Sequence, residues 1–168
     1  MGTKNIGAFA TEVNEEYTQE LTRRVEVNYI LLSEIVNQHI LEYTVSLDNL
    51  VAYIKSLISS DRDIPTDQLA KLLVELSATL YYTTEGVEKL GIKEDIMNAI
   101  ESETYNNIYK NTDGTIPDKK SVAELASQQE HLHHTTYLRA YKIIKAKNDA
   151  AQELINCIKR MLDTRGRI

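Results

Sequence analysis

Tryptophan is absent from this chain, phenylalanine and cysteine each occur once, proline occurs twice, and glycine fills only six of 168 positions. A single cysteine excludes an internal disulfide. Cys157 sits in an apolar helical run, so it is expected to be a small buried hydrophobe in a reducing compartment. With so few prolines and glycines, long segments run without any residue that forces a turn, and the expected class is all-α. No apolar run approaches the roughly 20 residues needed to span a bilayer, and Met1 to Ala10 is too short and polar for a secretory leader. The expectation is a soluble cytoplasmic protein without a membrane partner, with a flexible tail over residues 1–10 and one helical domain over 11–168. Catalytic signatures are missing as well. There is no Gly-rich phosphate loop, no Gly-x-Ser-x-Gly and no His-Glu-x-x-His. The carboxylates in Asn14 to Glu20 and Glu94 to Glu103 are spread along helices, as solvating residues are. No enzyme, no catalytic residue and no cofactor is expected.

Charge is present in quantity and unevenly placed. The net charge is −6, but residues 119–168 hold ten Lys or Arg against five Asp or Glu, while residues 1–118 hold nine against twenty. Such asymmetry suits a basic face directed at phosphates or at an acidic protein. The ten tyrosines can stack on bases or line the edge of a core.

Helical periodicity organises the chain. From Thr11 to about Ser59 the apolar positions Leu21, Val25, Tyr29, Leu32, Val36, Ile40, Tyr43, Leu47, Leu50, Ile54 and Leu57 follow at steps of three and four. They describe either one very long helix or a hairpin folded near Ser46 to Asn49. Flanking Ile30, Leu31, Ile35, Val45 and Val51 widen the stripe enough for more than one neighbour. After a break at Ser59 to Pro65, Thr66 is expected to cap a second helix over Asp67 to Leu90, ended by a left-handed Gly91. A third helix follows over Lys93 to Lys110, and the Asp113-Gly114 pair marks a turn. Ser121 and Glu124 have the spacing of a capping box, opening a long last helix that reaches Asp163. The architecture expected is an elongated bundle of about four helices with very long first and last members, prone to homo-oligomerise.

On the last helix Ala140, Ile143, Ile144, Ala151, Leu154, Ile158 and Met161 share one side, and Arg139, Lys142, Lys145, Lys159 and Arg160 the other. The cations form either a rail for single-strand phosphates, with Tyr137 and Tyr141 one turn apart as stacking groups, or a solvated face that complements the helix dipole. Arg165, Gly166 and Arg167 add a basic tip. In the run His131, Leu132, His133, His134, the first and last histidines share a face. A closed metal site needs more ligands than the neighbouring Glu130, so a polar patch or pH-sensitive contact is expected and no metal.

One stretch, about Ala78 to Arg167, resembles a known family. It carries Leu80-Tyr81-Tyr82, Gly91-Ile92-Lys93-Glu94, Tyr105 to Tyr109 leading into the Asp113-Gly114 loop, Ser121-Val122-Ala123-Glu124-Leu125, Tyr137 to Tyr141, and Ala150 to Arg165 with Ile158, Lys159 and Arg160. In this order the motifs resemble the small helical recombination mediators of T4-type phages. The resemblance implies a non-enzymatic oligomer that binds single-stranded DNA and contacts a recombinase and a single-strand binding protein. Residues 1–60 have no counterpart in it. Two other functions fit the residues: an acidic helical counter-defence inhibitor that covers the basic groove of a host nuclease with Glu12, Glu15, Glu16, Glu20, Glu94, Asp95, Glu101 and Glu103, and a structural virion or scaffold component that uses only its apolar stripes.

Overall fold

The computed structural model describes residues 6–60 and 63–165, with side chains from Thr18 onward except those of Leu21, Arg24 and Asn28. It is all-α, with four helices among the described residues: α1 (Ile6–Ile58), α2 (Thr66–Asn111), α3 (Ile116–Ala126) and α4 (Gln128–Arg165). No helix among the described residues is long and apolar enough to cross a membrane.

The open choice for the first segment resolves as one uninterrupted helix of 53 residues. Nothing between Ser46 and Asn49 breaks it, because that stretch contains neither glycine nor proline to displace the helical hydrogen bonds. Its start at Ile6 falls within the tail expected over residues 1–10. By internal contacts the chain divides into two units, residues 1–35 and 36–168. In the first unit, Val25, Val27, Tyr29, Ile30 and Leu31 are all more than half exposed.

The second unit contains a three-helix core in two clusters. One joins Leu47 and Ile54 of α1, Ile64 of the connection, Leu69, Leu72 and Leu76 of α2, and Ala151, Ile155 and Ile158 of α4. The other joins Val36 and Ile40, Val87 and Leu90, and Ala140 and Ile144, with Tyr43, Tyr137 and Tyr141 packed against it. The order of these contacts makes α2 antiparallel to both α1 and α4. Each fully buried Leu or Ile here contributes about 1.5–3 kcal/mol. Close approach of α1 and α2 depends on Gly86, where a Cβ would fall 2.5 Å from Cγ of Tyr43.

Several local expectations are corrected. Gly91 does not end a helix. The two segments expected over Asp67 to Leu90 and Lys93 to Lys110 form the single α2, since a lone glycine costs a helix about 1 kcal/mol and tertiary packing outweighs that. Thr66 does not cap α2. The N-cap is Pro65, which makes no side-chain cap. The long last helix opens differently too. Thr115 is the N-cap of α3, and Asp118, not the Ser121/Glu124 pair, supplies its box carboxylate, accepting from the Thr115 backbone N–H at 3.1 Å and hydroxyl at 2.6 Å. Those two bonds hold the Asp118 carboxyl below its ordinary range. The helix is then interrupted at Ser127, a buried residue whose backbone N–H and hydroxyl both donate to the Ala123 carbonyl at 3.0 Å. Gly114 occupies the expected turn with φ +122°.

Cys157 is exposed, not buried. At about 100° per residue it lies a quarter turn or more from Ile158 and so at the edge of the core stripe. Ile143, also assigned to the inner side, is 41 % exposed for the same reason.

Candidate functional site

Two groups of polar side chains stand out on α4, one cationic and solvent-facing, the other built with α2. The inner face of α4 is fixed by Ala140, Ile144, Ala151, Ile155 and Ile158, all buried. With that face inward, Arg139, Lys142, Lys145, Lys159 and Arg160 fall on the solvent side and all five are exposed. Among the described residues none of the five is in an ion pair. They form two groups, because Lys145 and Lys159 are separated by about 21 Å of helix rise. Asp149 and Glu153 are exposed between them.

The two candidate stacking tyrosines are half-buried against the second core cluster. Tyr137 meets the His39 ring at 5.1 Å between centroids, and Lys93 Nζ lies 5.8 Å from its ring. Lys145 Nζ lies 5.9 Å from the Tyr141 ring. Each ring is therefore already in contact on one side, with a cation beside it. Of the basic tip, Arg165 turns inward to the Ile64 carbonyl and the Asp63 carboxylate, while Gly166 and Arg167 lie outside the described residues. Lys147, on the inner side of α4, reaches across to α1, where it pairs with Asp48 and donates to Thr44 Oγ1 at 3.1 Å. The fully buried Thr44 in turn donates to Asp48 at 2.9 Å.

The second group joins α2 to the start of α4. Glu94 and Glu101, two turns apart on α2, face His131 and His134, which are three residues apart on α4. Glu101 bridges both histidines, with Oε1 2.8 Å from His131 Nδ1 and Oε2 2.8 Å from His134 Nδ1. The other nitrogen of His134, Nε2, is 2.8 Å from Glu94 Oε1. His134, Glu94 and Glu101 have side chains 16 %, 19 % and 22 % exposed, whereas His131 is 61 % exposed. A neutral imidazole has one donor nitrogen, yet both nitrogens of His134 meet carboxylates, so the fully bonded state of this ring is the imidazolium. Burial depresses the pKa of His134, but the hydrogen bonds to Glu94 and Glu101 outweigh it and the net shift is upward. Burial likewise raises Glu101, and the bonds to His131 and His134 outweigh it, so this carboxyl is held below its ordinary value.

Sequence reasoning singled out His131 and His134 without their partners, and placed Glu94 and Glu101 in an acidic surface. The facing carboxylates lie 30 to 40 positions away, and only the antiparallel pairing of α2 with α4 brings them in. Of the other acidic residues, Asp95 and Glu103 are exposed, Glu20 is exposed and bonded to Arg23, and the side chains of Glu12, Glu15 and Glu16 lie outside those described. No family model, no curated protein and no solved structure matches this chain.

Proposed function

We propose that this protein is a non-enzymatic helical accessory factor that holds single-stranded DNA on the cationic face of α4 and engages protein partners through its helices, the role of the recombination mediators it resembles. The observation that carries this reading is the set Arg139, Lys142, Lys145, Lys159 and Arg160, exposed and without ion-pair partners among the described residues. Cations left open in this way are available to replace the counterions of a phosphate backbone. The two groups, about 21 Å apart, would grip a strand at two points, with the half-buried Tyr137 and Tyr141 beside the first. The mechanism is mass action: holding a strand extended, sharing it with a single-strand binding protein and favouring recombinase nucleation. The exposed Val25, Val27, Tyr29, Ile30 and Leu31 support self-association through α1. An acidic inhibitor surface has less support, because Glu94 and Glu101 are turned to histidines and not to solvent.

Anisotropy of a labelled single-stranded oligonucleotide at two salt concentrations tests the reading. Binding should fall steeply with salt. Reversing Lys142 and Lys145 to Glu should weaken it, and lower the salt slope by about 1.4 if each contacts one phosphate, with helicity unchanged. An affinity equal to that of the unsubstituted protein would refute the assignment.

A further inference from the structure

The cluster on α2 and α4 has the composition and arrangement of a transition-metal site, which the sequence could not reveal because half of it is remote. Glu101, His131 and His134 each offer one ligand atom, and these atoms lie within 4.8 Å of one another. In tetrahedral zinc, bonds of about 2.0–2.1 Å put neighbouring ligand atoms about 3.3 Å apart. Each Nδ1 lies 2.8 Å from a different oxygen of Glu101, within about half an ångström of that edge. An ion is received by both oxygens of the carboxylate, or by one as the side chains turn to draw together ligand atoms that lie within 4.8 Å of one another.

The second feature is the placement of Glu94. A histidine that ligates a metal through one nitrogen donates its other N–H to a carboxylate, which fixes the tautomer and raises ligand basicity. His134 has this arrangement, its Nδ1 in the cluster and its Nε2 2.8 Å from Glu94. The supports are rigid, since both histidines lie on α4 and both carboxylates on α2, and helix-borne donors meeting between packed helices are a common construction for metals in bundles. Entry is open through the exposed His131.

We propose that Glu101, His131 Nδ1 and His134 Nδ1 bind one zinc ion per chain, with Glu94 orienting His134 and a fourth coordination position left to water or to a donor from a partner. Two neutral imidazoles and one carboxylate leave the ion with one positive charge, and the Glu94 carboxylate balances it through His134. Neutral imidazole and carboxylate together favour zinc over magnesium, which keeps oxygen ligands and its own waters. In this arrangement the metal ties the second half of α2 to the first turns of α4.

The test uses tag-free full-length protein stripped with a chelator, titrated with zinc chloride against a colorimetric zinc indicator, and with cobalt(II) chloride for its visible spectrum. The expected result is saturable binding of one ion per chain and the intense absorption of four-coordinate cobalt. Glu101→Gln and His134→Ala should each abolish saturation. Glu94→Gln should retain one site at about 10- to 100-fold weaker affinity, and His133→Ala, on another face of α4, should bind as the unsubstituted protein does. Circular dichroism of every variant without metal establishes that the helices persist. Where Glu101→Gln is poorly folded, Glu94→Gln decides. Absence of saturable binding, or zinc affinity unchanged by Glu94→Gln in folded protein, would overturn the site.

Discussion

Two glycines in α2, five residues apart, should respond oppositely to the same substitution. Replacing a helical glycine by alanine restricts the unfolded chain and favours the helix by about 0.5–1 kcal/mol. At Gly91 the new Cβ would lie 3.5 Å from Cε2 and 3.7 Å from Cδ2 of Tyr141. That is ordinary van der Waals contact, so the whole propensity gain should appear as stability. At Gly86 the same atom would meet Cδ1 and Cγ of Tyr43 at 2.5 Å and its Cβ at 2.8 Å. Carbon atoms pack at about 3.5–4.0 Å, so about 1 Å must be opened. Rotating the ring cannot do it, because two of the three atoms lie at the root of the side chain, and α1 must move off α2. Overpacking of this kind costs about 1–3 kcal/mol, and atoms this close to the backbone place it at the upper end. The net expectation is that Gly86→Ala destabilises by about 2 kcal/mol while Gly91→Ala stabilises by about 1 kcal/mol. In thermal unfolding that corresponds to roughly −4 to −8 °C and +2 to +4 °C. Urea unfolding followed by helical circular dichroism, at one fixed chain concentration, measures both. Removing the ring tests the cause: in a Tyr43→Ala background, Gly86→Ala should turn stabilising. A Gly86→Ala protein as stable as the parent, or no reversal with Tyr43→Ala, would refute the close contact of α1 with α2.

Two further outcomes follow from the polar contacts. In chelator-treated protein, the raised pKa of His134 and the lowered pKa of Glu101 make the cluster's contribution depend on pH. The His134 part is complete below its ordinary value of 6.5 and is lost as pH rises through the folded value. The Glu101 part is complete above 4.5 and is lost as pH falls through its folded value. Stability from this cluster should therefore peak between those limits. The change in urea midpoint from about pH 5.5 to about pH 8.5 should shrink in Glu101→Gln, and an undiminished change would remove this linkage. At the other contact, Lys147→Ala should cost about 1–2 kcal/mol, because it removes both the partner of Asp48 and a side-chain stem packed between helices. Lys147→Met should recover part of that loss. A double-mutant cycle with Asp48→Asn measures the pair itself, and zero coupling would show that only packing matters there.

Fold class was legible because the feature that specifies it is local. Val36, Ile40, Leu47 and Ile54, or Leu69, Leu72 and Leu76, repeat at the helical period, and few residues able to break a helix intervene. Boundaries were less legible, for a definite reason. Gly91 and Ser127 carry opposite local signals from what they do: glycine is a stop signal overridden by packing against Tyr141, and the break between α3 and α4 falls at a serine with no glycine or proline beside it. The cationic face of α4 was also readable, since inner and outer positions follow from the periodicity of Ala140, Ile144, Ala151 and Ile158. The same periodicity left Lys147 out of the outward set, but its partners Asp48 and Thr44, about 100 positions away, came only from the pairing of α4 with α1.

By itself, then, the sequence determined the all-α class, the great length of the first helix's apolar stripe, the turn at Gly114 and which basic residues of α4 face outward. All of these depend on residues within a few turns of one another. The tertiary structure decided that the first stripe is one helix, that α2 runs through Gly91, and that Glu94 and Glu101 meet His131 and His134. Contacts between side chains 30 to 40 positions apart depend on which helices pair and in what register. That register is set by the summed burial of Val87, Leu90, Ala140 and Ile144, and no short-range pattern encodes it.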